Sequence, residues 1–429
     1  MLLKSLKRDR TTLLRILVYL LITVVYYELY SQQWLVKSIG FLGLGRIPYL
    51  NLLIISFLCY VAILAAFQTG SVSLVKSTKR IIVSLIIYLV VSSVVIFAHE
   101  ANILVAKLHI IANAATIFLF MFVYTYFATN ERIKEFLLFL YFAGILFAIY
   151  TVLECKGYKV GIDPSDYAKT VRSSLLGIGP NALAGLLAPL VAVGYHMVKV
   201  NKGLVKLFYG GTALFLFYTV TLTMSRKGLL VIILIVLLFA WKRYCRKREI
   251  VLLAIVCCIL VFANKDFKSR LTKGSTSGDV HLYYMASSIP IIKENPLFGL
   301  GSSKFLEVQI ISTGGYSHNY YLRMAGSYGL VTLFFFSLFL TLIVLKTNAI
   351  SKYGLYLNKN DCNVSIVLSS IVLANTFALN FEPGNYFYYW IWFGLSIAWA
   401  RNSEAGNILC KGNYSSFDLY SGCSRDPAV

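Results

Sequence analysis

The chain has 429 residues, 58% of them hydrophobic and only 14% charged, with a mean hydropathy of +0.73; a soluble domain carries roughly 25% charged residues. Such a composition excludes a soluble protein with one aqueous core and makes lipid the expected solvent. The formal charge of +22 does not mark a nucleic-acid binder: Lys and Arg stand mostly in short breaks between apolar runs, as topology signals do, and no basic domain with interleaved aromatic residues is there to hold RNA or DNA.

In chain order, Lys4, Lys7, Arg8 and Arg10 precede an apolar run from Leu13 to Val25. Tyr26-Tyr27-Glu28 follows with no small-x-small cleavage site, so this run is expected to be an uncleaved first span. Further runs long enough for a transmembrane helix lie at 48–68, 80–98, 103–128, 134–153, 173–197, 204–223, 227–242, 249–264, 326–346, 363–380 and 385–400, and the first reaches from 12 to 30. That makes an all-α polytopic membrane protein with about 12 transmembrane helices, since a span needs roughly 20 apolar residues. Residues 34–46 are too broken for a span and are expected at the interface. No internal repeat is visible, which weakens a repeat-built transporter.

With the basic N-terminus in the cytoplasm, the breaks on that side carry Lys76, Lys79 and Arg80; Arg132 and Lys134; Lys199, Lys202 and Lys206; Lys242, Arg243, Arg246, Lys247 and Arg248; Lys346, Lys352 and Lys359; and Arg401, Lys411 and Arg425. The alternation predicts both ends inside, residues 401–429 being a cytoplasmic tail. All of residues 1–429 then form one integral membrane domain. Residues 265–325, which hold Gly, Ser, Asn and Pro with interspersed aromatic residues, form its large extracytoplasmic loop, of a length usually tied to function. Short helices are expected there, including Leu282 to Lys293, stopped before Asn295-Pro296. The eight cysteines show no C-x-x-C pair or metal spacing, so neither a disulfide framework nor a metal site is expected.

Some cations fall on the outer side, where topology does not ask for them: Lys156, Lys159, Lys169 and Arg172, then Arg226 and Lys227. An anionic ligand on that face would account for them. Arg226 lies in Thr223-Met224-Ser225-Arg226-Lys227-Gly228; its planar fork suits phosphate oxygens, and the other reading is a cation snorkelling to the interface. Tyr316-Ser317-His318-Asn319-Tyr320-Tyr321-Leu322-Arg323 closes the long loop. His318 can remove a proton near neutral pH; alternatively it caps the next helix or bonds within the loop. Arg172 precedes Gly177 and Pro180-Asn181. A proline inside the following span would kink it and shape a cavity, or serve packing alone. Lys293-Glu294-Asn295-Pro296-Leu297-Phe298-Gly299-Leu300-Gly301 reads as a tight turn that scaffolds the loop; it lacks the Lys-Ser/Thr of a phosphate-binding loop.

In this order, the Ser225-Arg226 turn, Asn295-Pro296-Leu297-Phe298-Gly299-x-Gly301, and His318-Asn319 with Gly329 resemble the O-antigen polymerase and O-antigen ligase superfamily of bacterial envelope glycosyltransferases. Arg172 with Pro180-Asn181 resembles that family's earlier loop. Where the family often has an Arg before the Asn-Pro turn, this chain has His281. The resemblance implies an oligosaccharide on undecaprenyl diphosphate as donor and transfer on the outer face of the inner membrane. It further implies a metal-independent, cofactor-free enzyme of the GT-C kind. His318 and Arg226 would be catalytic. Arg172, Lys227, Asn319, Arg323 and His281 would bind the lipid diphosphate or the glycan. Membrane lipids, a flippase and a chain-length regulator would be partners, and nucleic acid would not. The expected product is O-antigen, capsule or exopolysaccharide. A ligase passing glycan to lipid A–core is the near alternative, and a transporter without chemistry the distant one.

Overall fold

A computed structural model describes residues 2–26, 76–99, 103–155, 180–223, 225–242, 251, 255, 275–315, 317–353, 359–381 and 387–413. Among these residues the only regular structure is helical. The helices are α1 Leu2–Tyr26, α2 Lys76–His99, α3 Ile103–Tyr126, α4 Asn130–Cys155, α5 Pro180–Val200, α6 Gly203–Leu222 and α7 Arg226–Trp241. There follow α8 Ser275–Glu294, α9 Ser302–Thr313, α10 Tyr320–Tyr353, α11 Lys359–Ala378 with a 3-10 turn Leu379–Phe381, and α12 Phe387–Asn413. Among the described residues, seven helices are long and apolar enough to cross a membrane: α2, α3, α4, α5, α6, α10 and α11. The candidate spans 48–68 and 249–264 and the interfacial stretch 34–46 lie outside the described residues.

The helices lie side by side, and their contacts sort the chain ends into two ends of one bundle. At the first, Arg15 of α1 pairs with Glu135 of α4 at 3.1 Å, Lys134 of α4 with Asp361 of α11 at 2.6 Å, and Lys346 of α10 with Glu404 of α12. Arg401 of α12 donates to the carbonyls of Tyr124 and Phe127, both at 2.9 Å. Those carbonyls are orphans of the α3 C-terminus, so a buried cation satisfies them where the helix dipole is negative. At the second end, the Lys227 ammonium of α7 meets Tyr388 of α12, Asn319 meets Asn380, and Tyr321 of α10 donates to the Thr376 carbonyl of α11 at 2.7 Å. Gly301 rests there against the backbone of His99, the last residue of α2. Among the described residues, α2 to α7 therefore alternate in direction from one helix to the next, as do α10 to α12.

Packing follows how widely each helix is apolar. In α12, the run from Tyr388 to Phe393 is at most 1% exposed; a helix apolar on all sides belongs at the centre, and α12 packs on α1, α3, α4, α10 and α11. Its tryptophans find partners for their N–H groups, as buried indoles must: Trp392 donates to the Tyr26 hydroxyl and Trp399 to Ser365. By contrast, only 22% of the apolar stretch of α6 is buried against 67% of α5, so α6 is peripheral.

The span expected from 326 begins earlier, at Tyr320, and α10 is broken at Gly329 (φ 81°, ψ 170°). The break is filled by the Asn295–Gly301 turn. Leu300 and Gly301 N–H donate to the carbonyls of Gly326 and Ser327, both at 2.9 Å, and Leu330 N–H donates to the Pro296 carbonyl at 2.8 Å. The turn replaces the hydrogen bonds that the helix lost. A Cβ on Gly329 would stand 2.0 Å from the Leu297 oxygen, so position 329 requires glycine twice over, for its φ and for its space. The Gly-x-Gly turn thus scaffolds a membrane helix as well as the loop it sits in.

Candidate functional site

Two groups of polar side chains stand at the second end of the bundle. The first is built on the sharp connection from α6 to α7. Thr223 turns its hydroxyl back to the Val220 carbonyl at 2.7 Å and accepts from Ser225 N–H at 3.2 Å. Ser225 then caps α7, its Oγ accepting from Gly228 N–H at 3.3 Å; a serine at this position is a strong helix start. Arg226 and Lys227 follow in the first turn with opposite surroundings. Arg226 is exposed. Lys227 is 6% exposed and points into the bundle. Its ammonium lies 3.1 Å from the Tyr388 hydroxyl and 5.8 and 5.6 Å from the ring centroids of Tyr388 and Tyr389. Tyrosine faces stabilise a desolvated cation. Two cations over a helix N-terminus, whose own N–H groups carry partial positive charge, make a local field that favours an anion.

The second group holds His318. Buried Gln309 of α9 donates to the Tyr284 carbonyl at 2.9 Å and to Ser288 at 2.6 Å, both on α8. Its amide oxygen accepts from Ser317 N–H at 3.1 Å. Asn319 N–H donates to Ser317 Oγ at 3.2 Å. Asn319 is itself the cap of α10: its Oδ1 accepts from Leu322 N–H at 3.0 Å while its Nδ2 donates to Asn380 at 3.3 Å. The half-buried His318 is thereby fixed between two anchored residues on a loop that cannot swing freely. The capping role falls to Asn319, next to the histidine. Arg323 is half-buried one turn into α10.

Of the residues singled out in the sequence, Arg226, Lys227, His318, Asn319 and Arg323 thus come to one end of the molecule. His281 lies in α8, its side chain outside the described residues; Arg172 is outside them altogether, as is Gly177. Pro180 is the first described residue of α5, and the rest of the expected span before it, residues 173–179, lies outside the described residues. The proline inside α5 is Pro189. Gln309, Asn380 and Tyr388 carry no motif. Their only signal in the sequence is a polar atom at the edge of an apolar run.

Residues 211–337 match the family described as O-Antigen ligase. The match takes in most of α6, then Arg226 and Lys227, the 295–301 turn, the His318-Asn319 loop and the Gly329 break. No curated protein shows significant similarity to the chain. An integral membrane bundle, a matched segment and that segment's polar groups at one end together support the O-antigen polymerase and ligase superfamily, to which residues 211–337 are similar.

Proposed function

We propose that the protein joins oligosaccharide repeat units, carried on undecaprenyl diphosphate, into O-antigen, capsular or exopolysaccharide at the outer face of the bacterial inner membrane. The observation that carries this reading is that Arg226 and His318, both within the family match, occupy the same end of the bundle, opposite the ion-paired end. The positive-inside rule assigns the ion-paired end, with Lys76, Arg132, Lys199, Lys242 and Lys346, to the cytoplasm. The Arg226 and His318 end is then extracytoplasmic, as are α8 and α9 within residues 265–325. Both termini are cytoplasmic, including the tail from 401. A count of twelve spans is supported by described flanks: Tyr26 and Lys76 stand at opposite ends of the bundle, as one crossing between them requires.

The chemistry is a direct displacement. His318 takes the proton of the acceptor hydroxyl, whose oxygen attacks the anomeric carbon of the donor sugar. The bond from that carbon to the diphosphate oxygen breaks, and undecaprenyl diphosphate leaves with inversion. Arg226, with Arg172, His281 and Arg323 as further binding residues, stabilises the charge that develops on the diphosphate. Lys227 adds positive potential from behind. These side chains supply the charge that a metal supplies in other glycosyltransferases, which fits a metal-independent GT-C type. Asn319 shapes the acceptor side. A flippase that delivers the lipid-linked units and a chain-length regulator are the expected partners.

The near alternative, a ligase, keeps the same donor and chemistry and changes the acceptor to lipid A–core, and the family match fits either enzyme. The family match supports either enzyme over a transporter. Purified protein given undecaprenyl-diphosphate-linked repeat units as sole substrate is expected to form a polymer ladder. Arg226→Ala and His318→Ala variants that insert normally are expected to lose it. Transfer that occurs only when lipid A–core is added would replace the polymerase by the ligase.

A further inference from the structure

Between α5, α6 and α7, toward the ion-paired end, lies a cavity of about 680 Å³, within the roughly 300–1,000 Å³ of pockets that hold small ligands. Its space has a cause in the sequence. Ala188, Ala192, Gly210 and Ala213 present almost no side chain where three helices meet, while Val191, Phe217, Ile232 and Phe239 line the rest with hydrocarbon. The mouth, at the turn from α5 to α6, carries Lys199, Lys202 and Lys206. Lys199 extends along Tyr195, its ammonium 5.6 Å from the ring centroid. Among the described residues that line the cavity there is no Asp or Glu. On α6, Leu204, Leu207 and Phe208 beside the lysines are 82%, 70% and 51% exposed, which sets this mouth against acyl chains.

We infer that this cavity binds one anionic glycerophospholipid, an acyl chain among the apolar walls and the phosphate among Lys199, Lys202 and Lys206. An apolar chamber with three cations at its rim and no acid complements an amphiphile with a negative head. The chain-lined walls distinguish it from a site for soluble phosphate. It is also distinct from the proposed donor site. The lysines and Arg226 stand at opposite ends of α6, a 20-residue helix and hence about 30 Å long, which is the thickness of the hydrocarbon core. The phospholipid therefore belongs to the other leaflet, and the inference does not depend on the reading of Arg226 and His318.

Native mass spectrometry of the full chain, released from nanodiscs holding equal phosphatidylglycerol and phosphatidylcholine, tests it. The expected result is one retained phosphatidylglycerol per protein and little phosphatidylcholine. Removing the three charges together (Lys199→Gln, Lys202→Gln, Lys206→Gln) is expected to lower retention by on the order of tenfold or more. Gly210→Leu should do the same by occupying the chamber. A Cβ there meets only Val198, at 3.9 Å, so the variant fills space without a clash. Equal retention of the two lipids by the wild type, which needs no variant, overturns the inference. So does loss in the lysine variant with full retention in Gly210→Leu, since headgroups would then gather at the surface with no chain inside.

Discussion

Arg226 and Lys227 are neighbours in sequence, yet one faces out and the other is enclosed by Tyr388 and Tyr389. The two should fail differently. Arg226→Ala removes an exposed side chain, so its stability in detergent, read from a thermal melt, should stay within the roughly 0.5 kcal/mol of an ordinary surface change. Its turnover should fall about 10²–10³-fold, the effect of losing one preorganised charge-stabilising group. Lys227→Met keeps the volume and removes a buried charge, an exchange close to neutral for stability. A turnover about tenfold lower, or about 1.4 kcal/mol of barrier, is expected from the lost potential. Unchanged turnover in Lys227→Met would make that lysine a packing residue only. The Thr223 to Gly228 break was legible in the sequence because two apolar runs stop on either side of it. Tyr388 was not: it comes 161 residues after Lys227, and only the folded bundle brings the two together.

At the scale of elements, α8, α9 and α10 are held by backbone and by one amide. Gln309 is fully buried and serves α8, α9 and the loop before His318 at once. Gln309→Leu, close in size, leaves the Tyr284 carbonyl and Ser317 N–H without that partner, at a cost of about 1–3 kcal/mol. Turnover should fall with it, and the melt and the ladder assay together show whether stability and activity move in step. Gly329→Ala is expected to be worse, roughly 2–4 kcal/mol from strain and overlap, seen as lost yield of folded protein on size exclusion. Pro296→Ala keeps the carbonyl that Leu330 uses and should be milder. Helix α8 was readable from 282 to 293, ahead of the Asn-Pro stop, though it starts earlier, at Ser275. The break in α10 was not readable. Hydropathy runs straight through Gly329, and nothing local says that the 295–301 turn will dock there.

For the whole molecule, the distribution of charge between the two ends predicts sidedness. In a background without the native cysteines, Lys304→Cys on α9 should react with a membrane-impermeant maleimide in intact spheroplasts. Lys202→Cys should react only after permeabilisation; the reverse pattern would invert the orientation and remove the extracytoplasmic site. The hydrogen bonds between the 295–301 turn and residues 326–331 also impose an order on biosynthesis. The turn leaves the ribosome about thirty residues ahead of the backbone groups that complete it, a delay of roughly 1.5–6 s at about 5–20 residues per second. During that interval α8 and α9 have no finished dock. A nascent chain ending before Gly326 should therefore be cut by protease within 295–301, and one extended past Val331 protected, so that α8 and α9 settle only once the membrane helix that follows them has been made.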